Sequence, residues 1–341
     1  MTIHELDPEG DVLLTLRNPN APFAVGWDND IDWASERVPE EPVVENVKPD
    51  VNGDGEQELT TTYELTCSLP VVQFRLSSKH LILASGYFKR TLKGIWKEGI
   101  CSDGCYCIDA EDWDEEAMFI LMQVIHGLNR KVPRLIALEK LAKIAVLVDY
   151  YDCHEAVTIW SELWIAGMKR SQGIPETCNR DLILCTLVAS VFEEGDLFKK
   201  ATKVAVEHCR EDLPTLGLPI IAVAEKVKER RQESVRQVFT GLKSLLGLLR
   251  DGIVGCKFEC SSILLGALTI QMHAQGILDP EPEPPYPGYS IISIKEMLKN
   301  FENPKWKEIK SSYAHYCSLR YLVDKHVSFE VEGLELSNIR P

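Results

Sequence analysis

The residues Asp50-Val51-Asn52-Gly53-Asp54-Gly55 come nearest, by type and spacing, to a ligand site. Two carboxylates and an amide alternate ahead of a glycine, the pattern by which a calcium loop turns its oxygens onto one cation. The pattern stops there. Thr61 stands at the twelfth position, where a bidentate glutamate is required, and Glu58 stands at the ninth. Pro49 and the polar surroundings also deny the loop flanking helices. Asp50, Asn52 and Asp54 therefore read as part of a solvated acidic loop, not as a calcium site.

Cysteines offer two further groupings. Cys101-x3-Cys105-x-Cys107 brings three thiols together, but a structural zinc site needs four convergent ligands, usually as two close pairs. No second pair is near, and Tyr106-Cys107-Ile108 has strand character, so the stretch reads as a loop or hairpin with free thiols. Cys256-x3-Cys260 is followed by His273, His315 and Cys317. These donor types suit zinc, yet their separations fix no geometry, and whether the five converge on a metal stays open. Buried helical thiols, sharing one helix face, are the simpler reading. His80, His126 and His154 lie on or beside helix ends, with no second donor at ligand spacing, which suits capping or surface roles. Cys153 and His154 are neighbours in sequence, and adjacency does not make a nucleophile–base pair. The chain carries no glycine-rich phosphate loop, nucleophile elbow or His-Glu-x-x-His. No catalytic, cofactor-binding or metal residue is assigned, and the chain reads as non-enzymatic.

Composition narrows the classes further. The 341 residues suffice for two domains, and 45% hydrophobic content supports a sizeable core. The formal net charge of −15 argues against a nucleic-acid surface and against anionic membranes. Much of that charge sits between Asp28 and Glu58, where acidic residues face only Arg37 and Lys48. Residues 28–62 read as a disordered acidic insertion, too poor in apolar side chains to offset the entropy of ordering, with Phe23, Val25 and Trp27 docked before it. The basic cluster Lys226–Arg231 is interrupted by Glu229 and flanked by Glu225 and Glu233, so it reads as a solvated helix face and not a nuclear address. The N-terminus has no secretory pattern, and no run approaches the roughly 20 apolar residues of a membrane span. Eleven cysteines without a tight framework point to a reducing intracellular compartment, cytoplasmic or nuclear.

The elements follow from periodicity. Asp11–Leu16 is a buried strand bounded by turn formers, and Val71–Ser77 alternates with Val72, Phe74 and Leu76 on one side. At Ser77-Ser78 the period becomes helical, with a serine hydroxyl as the cap, and the helix breaks at Ser85-Gly86 before a second one. Asp112-Trp113-Asp114-Glu115 predicts a capping box for a helix burying Ala117, Ile120, Leu121, Val124 and Ile125. Leu138–Tyr151 is apolar around most of its circumference and should be a central helix. His154–Met168 follows. Beyond a boundary near Pro175 come amphipathic helices at Asp181–Glu193 and Asp196–Cys209, a long one from Pro219 to Arg250, and one within Ile253–Gly276. Pro280–Gly288 reads as a rigid extended spacer, and the tail keeps one weak helix, Ile294–Phe301.

The frame Phe74…Leu81…Ser85…Phe88 resembles the start of a BTB/POZ domain. The usual His-Lys pair before the helix is replaced by Ser77-Ser78, and Ser-Ser-Lys-His-Leu is similar to the BTB proteins of filamentous fungi. Asp112-Trp113-Asp114, Ile125-His126-Gly127, Asn129-Arg130-x-Val132-Pro133 and Leu141–Ala156 resemble the second half of the same proteins, and Gly255–His273 their C-terminal region. The resemblance implies an α+β, mostly helical chain: a BTB/POZ-like domain at 1–170, a helical region at 176–278, and a proline-rich connector and tail at 279–341. It also implies a protein-interaction module that self-associates or recruits partners, either as a substrate adaptor for a cullin-type ubiquitin ligase or as a scaffold or transcription-associated oligomer. The strand near Tyr106–Asp109 and its flanking helices would form the cullin-binding face. No cofactor is implied.

Overall fold

Two strands with opposite alternation start the architecture. In the computed structural model, which describes residues 2–26, 70–93, 105–305, 317–327 and 330–339, β2 (Val12–Arg17) pairs antiparallel with β3 (Val71–Leu76), Val12 opposite Leu76 and Arg17 opposite Val71. β4 (Tyr106–Glu111) joins the other side of β2 in parallel, and β1 (Thr2–Glu5), which periodicity did not reveal, lies parallel to β3. The sheet order is β1-β3-β2-β4. Val12, Leu14, Leu16, Val72, Phe74, Leu76 and Ile108 are all buried, so the alternation read from the residues supplies one sealed face. The 28–62 insertion, with Asp50, Asn52 and Asp54, lies outside the described residues, as do Cys101 and His315.

Helices α1 (Ser78–Ala84), α2 (Gly86–Lys93), α3 (Glu115–Ile125), α4 (Leu138–Tyr151) and α5 (His154–Ser171) pack on this sheet or on one another. Their caps differ from those the sequence predicts. Ser77 makes no side-chain cap on α1. Asp11, at the start of β2, reaches across instead and accepts from the Ser78 N–H at 2.8 Å and the Ser78 hydroxyl at 2.7 Å, placing a carboxylate at the positive end of the helix. For α3 the cap is Asp114, which accepts from the Ala117 N–H at 2.9 Å; Asp112 and a capping box take no part. At the break between α1 and α2, Gly86 donates its N–H to the Asp152 carbonyl at 2.9 Å, tying the start of α2 to the end of α4. A Cβ at Gly86 would meet the exposed Asp152 carboxylate, which would have to swing aside.

Asp114 does more than cap. Lys140 and Lys143 of α4 donate to its two oxygens at 2.6 and 2.9 Å, clipping α4 to the start of α3. Burial disfavours its charge, but the hydrogen bonds from Lys140, the Ala117 N–H and Lys143 outweigh that and hold its pKa at about 2.

The second half of the chain is wholly helical among the described residues. α6 (Arg180–Val191) lies between α4 and α7 (Gly195–His208), and almost every side chain on it is buried. It is therefore a second interior helix and not the amphipathic surface helix that its sequence predicts. Because α6 packs on α4, buried side chains continue across residue 175. Arg180 tightens the junction, donating to the carbonyls of Phe23 and Ala24 at 3.1 Å each and to Glu139 at 3.0 Å. Phe23 is docked as expected and Ala24, which was not expected, is buried with it, whereas Val25 is exposed and Trp27 lies outside the described residues. The expectation of free thiols throughout also needs correction. Cys178 and Cys209 are joined in a disulfide with Cα atoms 5.7 Å apart, tying the loop before α6 to the end of α7, and Cys107 is disulfide-bonded too.

α8 (Ile221–Arg250) and α9 (Phe258–Ala274) pack together, and α10 (Ile291–Lys299) and α11 (Leu319–His326) return onto them. Two expectations fail here for one reason. Arg231 belongs to no solvated face; it is 1% exposed. Its guanidinium donates to the carbonyls of Pro285 (3.0 Å), Tyr286 (3.2 Å) and Tyr289 (3.0 Å). The proline-rich stretch is accordingly clamped to α8, with Tyr286 buried against Phe239, and is not a spacer. The tail contains α11 as well as α10. Ser318 caps it and Leu319, Leu322 and Val323 are buried, a signal already present in the sequence.

Two outcomes follow. Asp114 contributes stability that is present above pH 3.8 and lost as pH falls through about 2, worth about 2 kcal/mol. Urea unfolding of Asp114→Asn should show that loss at neutral pH and a flattened acid limb; a limb as steep as the native one would mean that the carboxylate is not paired. Arg231→Ala leaves three carbonyls without their donor and should cost about 3 kcal/mol or more. Arg231→Lys should recover little of it, because one ammonium cannot replace the fork, and limited proteolysis should then open the chain near Pro285.

Candidate interaction edge and cysteine centre

A parallel ladder turns alternate residues to its partner strand. The Tyr106 N–H bonds the Asp11 carbonyl at 2.8 Å and the Asp112 N–H bonds the Arg17 carbonyl at 3.1 Å, bracketing the β2–β4 register. The backbone groups of Tyr106, Ile108 and Ala110 thus face β2, and those of Asp109 and Glu111 face away. Among the described residues no strand lies beyond β4. Ile108 anchors the strand in the core, while Asp109 is exposed and pairs with Arg17 at 3.0 Å across the surface, a contact of small energetic weight. The opposite sheet edge is β1, of four residues. The expected Tyr106–Asp109 face therefore contains the longer of the two sheet edges that no described strand covers, a place in the strand order that no local pattern encodes.

A cavity of about 360 Å³ lies where α1, α2 and the α4–α5 turn meet, lined by Leu83, Gly86, Lys89, Cys153 and His154 among others. Its thiol is not activated. Burial, then the charge of Asp152, pushes Cys153 up to about 12, and the thiol donates to the Val148 carbonyl at 3.9 Å. A thiol so placed is protonated at neutral pH and is no nucleophile. Beside the cavity Leu83 is 88% exposed, and on α9 Ile263 and Ile270 stand exposed on one face.

The histidines resolve into different roles. His126 is buried at the C-terminal cap of α3, its Nδ1–H donating to the Met122 carbonyl at 2.8 Å and its Nε2 accepting from the Ser77 N–H at 2.9 Å. That pair of bonds selects one neutral tautomer and joins α3 to the β3–α1 turn. Burial, aided by His80 stacked 5.1 Å away, lowers its pKa against the opposing bond to Met122.

Of the five residues Cys256, Cys260, His273, His315 and Cys317, the structure brings three together. The sulfurs of Cys256, Cys260 and Cys317 all lie within 4.8 Å of one another. His273 is exposed near the far end of α9 and takes no part, and His315 lies outside the described residues. Cys256 is not on the helix, as a shared helix face would require, but in the turn before α9, while Cys260 is buried in the first helical turn. The turn is held by the Ser261 hydroxyl, which donates to the Val254 carbonyl at 2.6 Å. Gly255, with φ +101°, lies so close that a Cβ would approach the Ser261 oxygen to 2.6 Å. Cys317 arrives from the start of α11, where Asn303 accepts from the Ser318 hydroxyl at 3.0 Å and the Arg320 N–H at 3.1 Å. Burial, together with the neighbouring Cys317, pushes the Cys260 thiol upward, while a hydrogen bond from the Cys256 backbone opposes the shift.

No protein-family model, curated protein or solved structure matches this chain. No helix among the described residues is long and apolar enough to cross a membrane.

His126 yields a pH dependence. Because its folded pKa is lowered, the unfolded chain takes up the proton first; the stability it contributes is present above pH 6.5 and lost as pH falls toward the folded value. Unfolding free energy should begin to drop as pH falls below about 6.5, and His126→Gln should remove that component. Imidazole ¹⁵N shifts showing a cation at pH 6.5 would contradict the buried neutral tautomer.

Proposed function

We propose that this chain is a non-catalytic protein-interaction module of the fungal BTB/POZ type that recruits partners or a second copy of itself inside the cell. The observation that carries the reading is the open edge of β4. It presents the backbone of Asp109 and Glu111 outward on a strand that Ile108 holds in the core, and such an edge accepts an added strand. The element order supports the reading as well. β2, β3, α1, α2, β4 and then α3–α5 is the succession that the residue resemblance implies. Exposed Leu83, Ile263 and Ile270 supply apolar surface beyond the edge. The finer use is a substrate adaptor for a cullin-type ligase, in which the helices after residue 175 would hold the substrate.

The test uses the tagged full-length chain, purified from its native cells, with mass spectrometry of what accompanies it. Asp109→Pro removes one outward N–H while leaving the β2 ladder intact, because proline is tolerated on the open side of an edge strand. A cullin recovered with the native chain and lost with Asp109→Pro supports the adaptor. Recovery of the chain's own second copy alone, lost in the same variant, supports self-association. Undiminished recovery of every partner by Asp109→Pro would remove the edge from the mechanism.

A further inference from the structure

Three thiols drawn from two distant stretches of chain into one small volume ask for a common partner. With metal–sulfur bonds of about 2.3 Å, a tetrahedral zinc holds its sulfurs about 3.8 Å apart. Cys256, Cys260 and Cys317 already lie within 4.8 Å of one another, so a modest contraction completes that geometry. The supports are those of a ligand set. Gly255 and Ser261 fold the turn that sets Cys256 against Cys260, and a hydrogen bond from the Cys256 backbone is directed to the Cys260 sulfur. Asn303 holds Ser318 and Arg320, just after Cys317. Cys260 lies in the first turn of α9 and Cys317 just before the cap of α11, so both come from the starts of helices.

We infer that Cys256, Cys260 and Cys317 bind a thiophilic divalent cation of the zinc type and that the ion staples α11 to the α8–α9 pair. On binding, each thiol releases its proton to solvent as its metal–sulfur bond forms. The fourth coordination position is left to water or to a further donor. The site is structural. α11 is short, and besides its buried Leu319, Leu322 and Val323 the metal is its covalent-strength tie to the body of the fold. This inference is independent of the β4 edge.

The experiment is metal analysis of the purified full-length chain, followed by chelation and titration with cobalt(II). The native chain should carry one equivalent of zinc. Its cobalt form should show thiolate-to-cobalt charge transfer in the near ultraviolet and the visible bands of a tetrahedral ion. Cys256→Ser, an exposed position that leaves the core intact, should lose the bound metal and the charge-transfer band, as should Cys317→Ser. Cys105→Ser, a thiol on another element, should keep both. Chelation should lower the melting temperature of the native chain and leave that of Cys256→Ser unmoved. The inference is overturned if native protein holds no stoichiometric metal and gives no cobalt–thiolate band, if Cys256→Ser and Cys317→Ser retain it, or if peptide mapping finds Cys256 and Cys317 joined in a disulfide.

Discussion

A single buried guanidinium orders the C-terminal half of this protein. Among the described residues Arg231 forms no ion pair, and its terminal nitrogens donate to three backbone carbonyls of one loop. Burial lowers its pKa, and the charges of Glu211 and Asp212 oppose that shift. Glu211 also accepts the Gly288 N–H at 3.0 Å, so the same loop is held from two directions. Burying a cation is costly unless most of its donors are met, and here the two terminal nitrogens are met while Nε is not. The segment from Pro285 to Tyr289 is therefore bound to α8, and α10 begins immediately after it. From there the chain turns back to deliver α11, and with it Cys317, to the start of α9. The clamp thus acts together with the buried Ile291, Ile294, Leu319, Leu322 and Val323, which seat α10 and α11.

The N-terminal half depends on a comparable economy of polar contacts. Asp11, Asp114 and His126 each join elements that hydrophobic packing alone would leave free to slide: β2 with α1, α3 with α4, and α3 with the β3–α1 turn. Each group sits at a helix end, where backbone donors or acceptors lack intrahelical partners. Satisfying those groups through side chains from other elements turns local capping into tertiary structure. These contacts fix the helices against the sheet, whose outer strand β4 forms one edge. α6, interior along almost its whole length, joins this part to the helical half.

The residues of the chain determined most of the secondary structure by themselves. Alternation at Val72, Phe74 and Leu76 and helical spacing at Leu138–Tyr151 are properties of neighbouring side chains, so a linear reading recovers them. The break at Ser85-Gly86 was equally legible as glycine, though the bond from the Gly86 N–H to the Asp152 carbonyl was not. What only the tertiary structure decided was which polar groups meet. The cap expected from serine is supplied by Asp11, arriving from another strand, and the one expected from Asp112 by Asp114, two residues further on, where the helix starts. Arg231 read as solvated because charged neighbours surround it in sequence, whereas burial depends on what the loop at Pro285–Tyr289 brings to it. Likewise Cys256 and Cys260 were visible as a pair, but Cys317 joins them only through the path of the tail. Spacing along the chain sets the period of an element; convergence is set by loop paths and strand order, which no local pattern records.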